Sequence, residues 1–431
     1  MVTVTLLVLG AALLALALVD RAVRKLPLSP AVLYLAMGWA VGAAIGGPDV
    51  GSLMQHLPAV VLATELAVLL SLMAVGLRLR WPARLATWRI AFLLAGPAMA
   101  VTVLLGTVAG VLALGLPWAV ALLLAAVMAP TDPVLASEVQ IRSDQDRDAV
   151  RLSLTAEGGL NDGTALPAVM LGLALMGLND LGVPAPAPDS WLQSATWDWA
   201  LRWAWRDLLW PVGGGALIGM ALGRGLGRLM RRRAHQGERL ARDEMLYVGS
   251  VVLAFGMARW LHCSTFVVVF AVGAMLLQPF DDDAAPALAE LALAERLQAF
   301  GARIERILEA ATVLAVGVAL HSVPITAEAL AYGAALVFIV RPLAVLAVVR
   351  GATLATAQRR LLAWFGIRGV GTLFYLAFAL EHGITGALAD KLVGAALTAI
   401  ALSIVLHGIS ATPLMAAYHR RRSSSRSDRS E

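Results

Sequence analysis

Cysteine is almost missing from the 431-residue chain: Cys263 stands alone, so neither an intrachain disulfide nor a cysteine-rich zinc module can form. Charge is scarce too. Asp, Glu, Lys and Arg make up 15% of the residues, against roughly 25% in an ordinary soluble domain, which excludes a chain held in water by a charged surface. His and Cys do not gather at metal-ligand spacing, so no metal cofactor is implied. No phosphate-binding Gly-x-x-x-x-Gly-Lys loop is present, and nothing supports an ATP-driven pump. What takes the place of all these is apolar surface: 59% of the residues are hydrophobic, with a mean hydropathy of +0.78. A hydrocarbon layer about 30 Å thick takes about 20 apolar residues per helix, so the length suffices for about a dozen spans in one all-α polytopic membrane domain.

Apolar runs between polar breaks predict thirteen transmembrane helices, near 3–21, 29–46, 57–78, 89–114, 117–138, 148–177, 205–229, 244–260, 262–279, 305–321, 327–349, 360–381 and 391–418. The first run, Val2 to Val19, has its basic residues after it, at Arg21, Arg24 and Lys25, and is expected to be a retained helix and not a signal peptide. Twenty-eight of the 34 Lys and Arg fall after odd-numbered helices or in the tail, four fall in the opposite loops, and Arg341 and Arg368 lie inside spans. The positive-inside rule therefore puts the N-terminus outside and the C-terminus in the cytoplasm of a cell inner membrane. The net charge of +5 reflects this topology and lipid headgroups, not nucleic acid. Six of the twelve tryptophans crowd into 182–210, as in an interfacial aromatic belt. Residues 284–304 alternate Leu with Glu and Arg, which fits a surface amphipathic helix or a linker. Residues 419–431 form a short basic tail, too polar to bury a core.

Ionisable residues inside spans cost at least about 2.5–3.5 kcal/mol each and mark function by default. Asp132 sits in Pro130-Thr131-Asp132-Pro133, where two prolines deny the fifth helix its backbone bonds at membrane depth. An unwound stretch there exposes carbonyl oxygens, the ligands a hard monovalent cation wants. Prolines in membrane helices also serve as plain kinks. The sixth helix carries Glu157-Gly158-Gly159-Leu160-Asn161-Asp162-Gly163. Glu157 and Asn161 share a face while Asp162 points about 100° further round, so the three can serve different partners. Asp162 with Asp132 makes a carboxylate pair around one ion, and Glu157 needs a counter-charge that Arg341, beside Pro342, can give. Arg368 in Gly366-Ile367-Arg368-Gly369 marks a second helix break. Glu65 reads as an interhelical hydrogen-bond partner or a funnel residue, and His321 and His382 as span-end residues.

With these residues together, the chain resembles the cation/proton antiporters of the sodium/proton exchanger superfamily, in the electroneutral NhaP-like branch. The resemblance rests on Thr131-Asp132-Pro133, on Glu157 with Asn161-Asp162-Gly163, on Arg341-Pro342 and on Gly366-Ile367-Arg368-Gly369, in this order and helix spacing. It implies inverted repeats, broken helices 5 and 12 that cross, a mobile core (about 57–177 and 305–390), a dimerisation scaffold (about 1–46 and 205–279) and a homodimer. It also implies that Asp162 binds ion and proton, that Asp132 and Thr131 are further cation ligands, and that Glu157, Asn161, Arg341 and Arg368 support them. Relatives often have Ser where this chain has Gly158, which offers a carbonyl in place of a hydroxyl. The acidic residue common at the end of helix 3 is absent from Met73-Ala74-Val75-Gly76-Leu77-Arg78.

The expected activity is exchange of Na⁺ or Li⁺ for H⁺ by alternating access, one for one, because Asp162 cannot hold a proton and a cation at full strength together. Potassium/proton exchange is the alternative within the class. An intramembrane aspartyl protease would also need two buried Asp residues, and a channel would pass current.

Overall fold

A helix satisfies its own backbone inside hydrocarbon, and every regular element among the described residues is helical. The computed structural model describes residues 29–47, 50–79, 88–132, 148–183, 194–235, 243–278 and 288–427, with isolated positions at 10, 14 and 139. The expected first helix lies outside the described residues, as do Pro133 and the three prolines at 184–188.

In chain order the elements are α1 (Pro30–Ile45), the short α2 (Val50–Gln55), α3 (Leu57–Arg78), α4 (Arg89–Leu114), α5 (Trp118–Met128) and α6 (Ala149–Leu175). Next, α7 (Ser194–Trp203) passes through a wide stretch, Ala204–Gly214, into α8 (Gly215–His235). Then come α9 (Asp243–Trp260), α10 (Thr265–Leu276), α11 (Leu288–His321) and α12 (Ala327–Gly351). The chain closes with α13 (Thr356–Trp364), α14 (Val370–Glu381) and α15 (Gly386–Ser427). By length and composition α3, α4, α12 and the Gly386–Arg420 part of α15 can each cross a membrane, while α1, α5, α10 and α14 are shorter apolar helices.

Proline leaves its mark on the long helices. A residue without an N–H frees a carbonyl one turn back and lets the turn widen. Wide turns occur at Leu94–Ala98 around Pro97, at Ala204–Gly214 around Pro211, and at Leu336–Val340 just before Pro342.

Packing between α8 and α10 shows how small residues replace the hydrophobic effect inside a membrane. A Cβ added at Gly219, Gly223 or Gly227 would lie 2.5, 2.7 or 2.3 Å from the carbonyl oxygens of Val268, Val272 and Leu276. The two helices touch backbone to backbone along one four-residue ladder. The Gly223-to-Gly227 run is a packing seam.

Two boundaries differ from the sequence expectation for one reason. Residues 288–321 form one helix in place of a separate surface segment and a span, and Ser194 to His235 is helical well beyond 205–229. Backbone hydrogen bonding continues past the apolar window wherever polar side chains find partners. On α11, Gln298 Nε2 donates to the Leu77 carbonyl at 2.9 Å and Glu305 pairs with Arg78, both tying it to α3. Within 194–210, Trp203 donates to the Pro167 carbonyl and Trp210 to that of Leu261, while Trp197 and Trp205 stay exposed.

Candidate functional site: two interrupted helices and a buried carboxylate

Helix α5 stops at Met128, and residues 129–132 leave the helical path between Pro130 and the position of Pro133. The α13 helix stops at Trp364, residues 365–369 run free of helix, and α14 begins at Val370. The stop of α5 strands carbonyls at a helix end, and the gap after α13 strands carbonyls at its end and amides at the start of α14, with partial charges of opposite sign.

The two interruptions answer each other. The Asp132 N–H donates to the Ile367 carbonyl at 2.7 Å, and the Val370 N–H donates to Asp132 Oδ2 at 2.5 Å. In return the Arg368 guanidinium donates to the carbonyls of Ala129 and, at 3.0 Å, of Pro130. An anion thus faces the positive start of α14 and a cation the negative end of α5, which is where helix dipoles favour them. Arg368 is 3% exposed and Asp132 5%, so neither charge is carried by water.

Helix α6 brings the remaining candidates. Glu157 receives two hydrogen bonds from Arg341, at 2.5 and 2.9 Å, and the same guanidinium donates to the Phe365 carbonyl at 2.9 Å and the Leu362 carbonyl at 3.3 Å. The expected counter-charge is therefore in place, and it also caps the end of α13. Asn161 Nδ2 donates to the Thr131 carbonyl at 3.0 Å and to Thr131 Oγ1 at 2.6 Å, which ties α6 to the first interruption. Gly158 is buried in an unbroken part of α6, where a helix commits each carbonyl to the amide four residues on.

Asp162 differs from all of these. It is 2% exposed, and its Oδ1 has no hydrogen-bond partner. It sits against the first turn of α14, where a Cβ at Gly371 would lie 2.2 Å from Oδ1 and 3.4 Å from Oδ2. Asp132 takes the amide of Val370 and Asp162 touches Gly371, so both carboxylates converge on consecutive residues of one helix start and feel each other's charge. Asn161 Oδ1 and Thr372 Oγ1 are likewise buried oxygens without a donor. Buried oxygens without a donor are the kind of ligand that a hard cation takes. No grouping of three or more His, Cys, Asp or Glu suited to a metal ion occurs among the described residues.

Tyr375, Gly371 and Thr372 are the residues that sequence reasoning missed. The Tyr375 hydroxyl donates to the Asp162 backbone carbonyl, and its ring is fully buried among Phe266 and Phe374. A signal was available: Thr372 and Tyr375 stand three apart in the apolar run that follows Arg368, polar groups on one face of α14. Glu65 accepts a hydrogen bond from Thr265 of α10 at 3.0 Å, with Arg259 at 3.9 Å. His321 ends α11 and His382 follows α14.

The sequence matches the family model described as "Sodium/hydrogen exchanger, transmembrane" over residues 9–417. The chain belongs to the sodium/hydrogen exchanger family. A member of this family is a multi-pass membrane transporter and not an enzyme, which removes the two-aspartate protease reading. Among solved structures, the chain is similar to the sodium proton antiporter MjNhaP1 from Methanocaldococcus jannaschii at pH 8, with a TM-score of 0.67 and 18% identity over 96% of this chain and 98% of that one. An electron-microscopy structure of the same antiporter gives a TM-score of 0.72 at 18% identity, covering 94% and 95%. At this identity the likeness establishes the all-helical fold. A comparison with curated protein sequences finds no match.

Proposed function

We propose that this exchanger carries Na⁺ or Li⁺ against H⁺, one for one, with ion and proton competing for Asp162. The observation that carries the reading is the Asp162 carboxylate, sealed from water with one oxygen lacking any donor. A bare carboxylate so placed is costly, and either a proton or a cation relieves it, but each weakens the claim of the other. Asp132 and the Thr131 oxygens complete the ligand set, with the Gly158 carbonyl, already bonded within α6, offering only its second lone pair, while Glu157, Asn161, Arg341 and Arg368 hold the scaffold. Asn161 stands beside Asp162 in place of a second carboxylate, so the loaded site has the same charge with H⁺ as with Na⁺, and exchange is electroneutral. Acid inhibits it by keeping Asp162 protonated on the inward side. The similar fold of a sodium proton antiporter supports sodium.

In this reading thirteen spans form inverted repeats, and a core of about 57–177 and 305–390 moves against a scaffold of about 1–46 and 205–279 that dimerises with a second copy. A repeat is supported by order: α4 with a wide turn precedes the α5 interruption, and α12 with a wide turn precedes the α13–α14 interruption. The basic loops put the C-terminus in the cytoplasm of an inner membrane, where the exchanger serves pH homeostasis.

Purified protein in proteoliposomes with an internal pH dye tests this. Separate additions of Na⁺ and Li⁺ collapse an imposed proton gradient without generating a membrane potential, K⁺ does not, and Asp162→Asn reduces the response to that of empty vesicles. A response to K⁺ alone overturns the ion assignment. A cation-driven proton flux that survives in Asp162→Asn overturns the site.

A further inference from the structure

We propose that Ser403 and His407, on α15, are positioning residues that hold the second interruption in register with the cation site. The inference rests on the reading of Asp132 and Asp162 given above.

Between the Phe365 N–H, which still donates to the Leu361 carbonyl, and the Gly369 carbonyl, which takes the Leu373 N–H, the backbone lacks helical partners, and buried backbone groups must be paired somewhere. Arg341 takes the Leu362 and Phe365 carbonyls. The next two groups go to α15. His407 Nε2 lies 3.0 Å from the Trp364 carbonyl, and the Arg368 N–H donates to Ser403 Oγ at 3.2 Å. Ser403 Oγ and His407 Nδ1 are 3.2 Å apart. With the imidazole proton on Nε2 these groups join in one directional chain, the arrangement the proposal requires: Arg368 N–H to Ser403 oxygen, Ser403 O–H to Nδ1, and Nε2–H to the Trp364 carbonyl. The Nδ1–H tautomer instead donates to the Ser403 carbonyl within α15 and leaves the Trp364 carbonyl without this donor. Nδ1 also lies 2.8 Å from the Ser403 carbonyl within the helix.

Ser403 is 0% and His407 1% exposed, and the rings of Trp364 and Phe365 flank the imidazole at 5.5 and 6.5 Å. A buried imidazole in aromatic company is costly unless both nitrogens are used, and here both are. A leucine would fill such a volume at less cost. What it could not do is bridge residues 364 and 368 across the gap. The bridge ends two residues before the amide of Val370 that holds Asp132 and three before Gly371 that touches Asp162. Slack at 364–368 therefore reaches both carboxylates, with Ser403 and His407 acting on them through the backbone.

The test uses the full chain in proteoliposomes and lipid nanodiscs. His407→Phe keeps an aromatic ring and deletes the donor. The apparent KM for Na⁺ rises about two- to tenfold, the worth of one or two buried hydrogen bonds, while turnover at saturating Na⁺ stays within about twofold. His407→Gln, which can donate and accept at similar reach, recovers most of the loss. Ser403→Ala shifts KM the same way by less. Amide hydrogen exchange across 365–370 quickens in His407→Phe and Ser403→Ala and is unchanged in α8 and α10. Unchanged exchange and KM in these variants, or a Gln variant as impaired as the Phe variant, overturns the proposal. Where His407→Phe does not fold, Ser403→Ala decides by the same two readouts. If the wild-type protein moves no Na⁺, the functional reading fails, and amide exchange alone still decides whether α15 holds the interruption.

Discussion

Glu157 and Asp162 stand five residues apart on α6, both sealed from water, yet they live under opposite terms. Glu157 gives both oxygens to Arg341, whose Nη2 also donates to the Leu362 and Phe365 carbonyls at the end of α13. Asp162 keeps an oxygen with no donor and a neighbour, Asp132, of its own sign. A matched buried pair is silent, because each partner satisfies the other and no ion gains by entering. An unmatched carboxylate answers to whatever cation or proton arrives. One helix thus carries its anchor and its working group on different faces.

The largest expected effect comes from breaking the silent pair. Arg341→Met strands Glu157 and costs about 3–5 kcal/mol, while the double replacement by Met at both positions recovers most of it, since apolar residues of similar size can substitute for a buried pair. Thermal unfolding followed by dye or scattering measures both. By contrast Asp162→Asn, which removes an uncompensated buried charge, melts no earlier than the wild type; a marked drop would place Asp162 among the anchors. Smaller in stability but sharper in function is Gly371→Ala. Its Cβ would fall 2.2 Å from Asp162 Oδ1, which costs about 1–3 kcal/mol of local crowding and is expected to raise the KM for Na⁺ by about tenfold. An unaltered KM would mean that Asp162 works from another position. Smallest is Tyr375→Phe, which removes one hydrogen bond to the Asp162 carbonyl, worth about 1 kcal/mol. A KM rise of about fivefold with normal expression is expected, and a larger loss would assign Tyr375 a direct part in binding the ion.

The sequence made both interruptions legible because their causes are local. Pro130 and Pro133 cannot supply helix amides, and an arginine between glycines in an apolar run has no reading but a polar one. The Glu157–Arg341 pair was legible by elimination, as few opposite charges lie within spans. The length of α11 and of the α7–α8 rod was not legible, since the apolar period ends where backbone hydrogen bonding does not. Neither Tyr375 nor His407 is assigned a part by the sequence, because what gives each its meaning is a carbonyl on another segment. Distances between segments distant in the chain leave no trace in either one's own pattern.

The reciprocal capping at the crossing has a practical consequence for anyone building hybrids of such proteins. Arg368 serves the end of α5, and Asp132 serves the start of α14. Neither stretch is a self-sufficient module. A graft that imports 129–132 from a relative without 365–370 brings half of a two-piece lock, and the donor segments must travel together for the recipient to assemble.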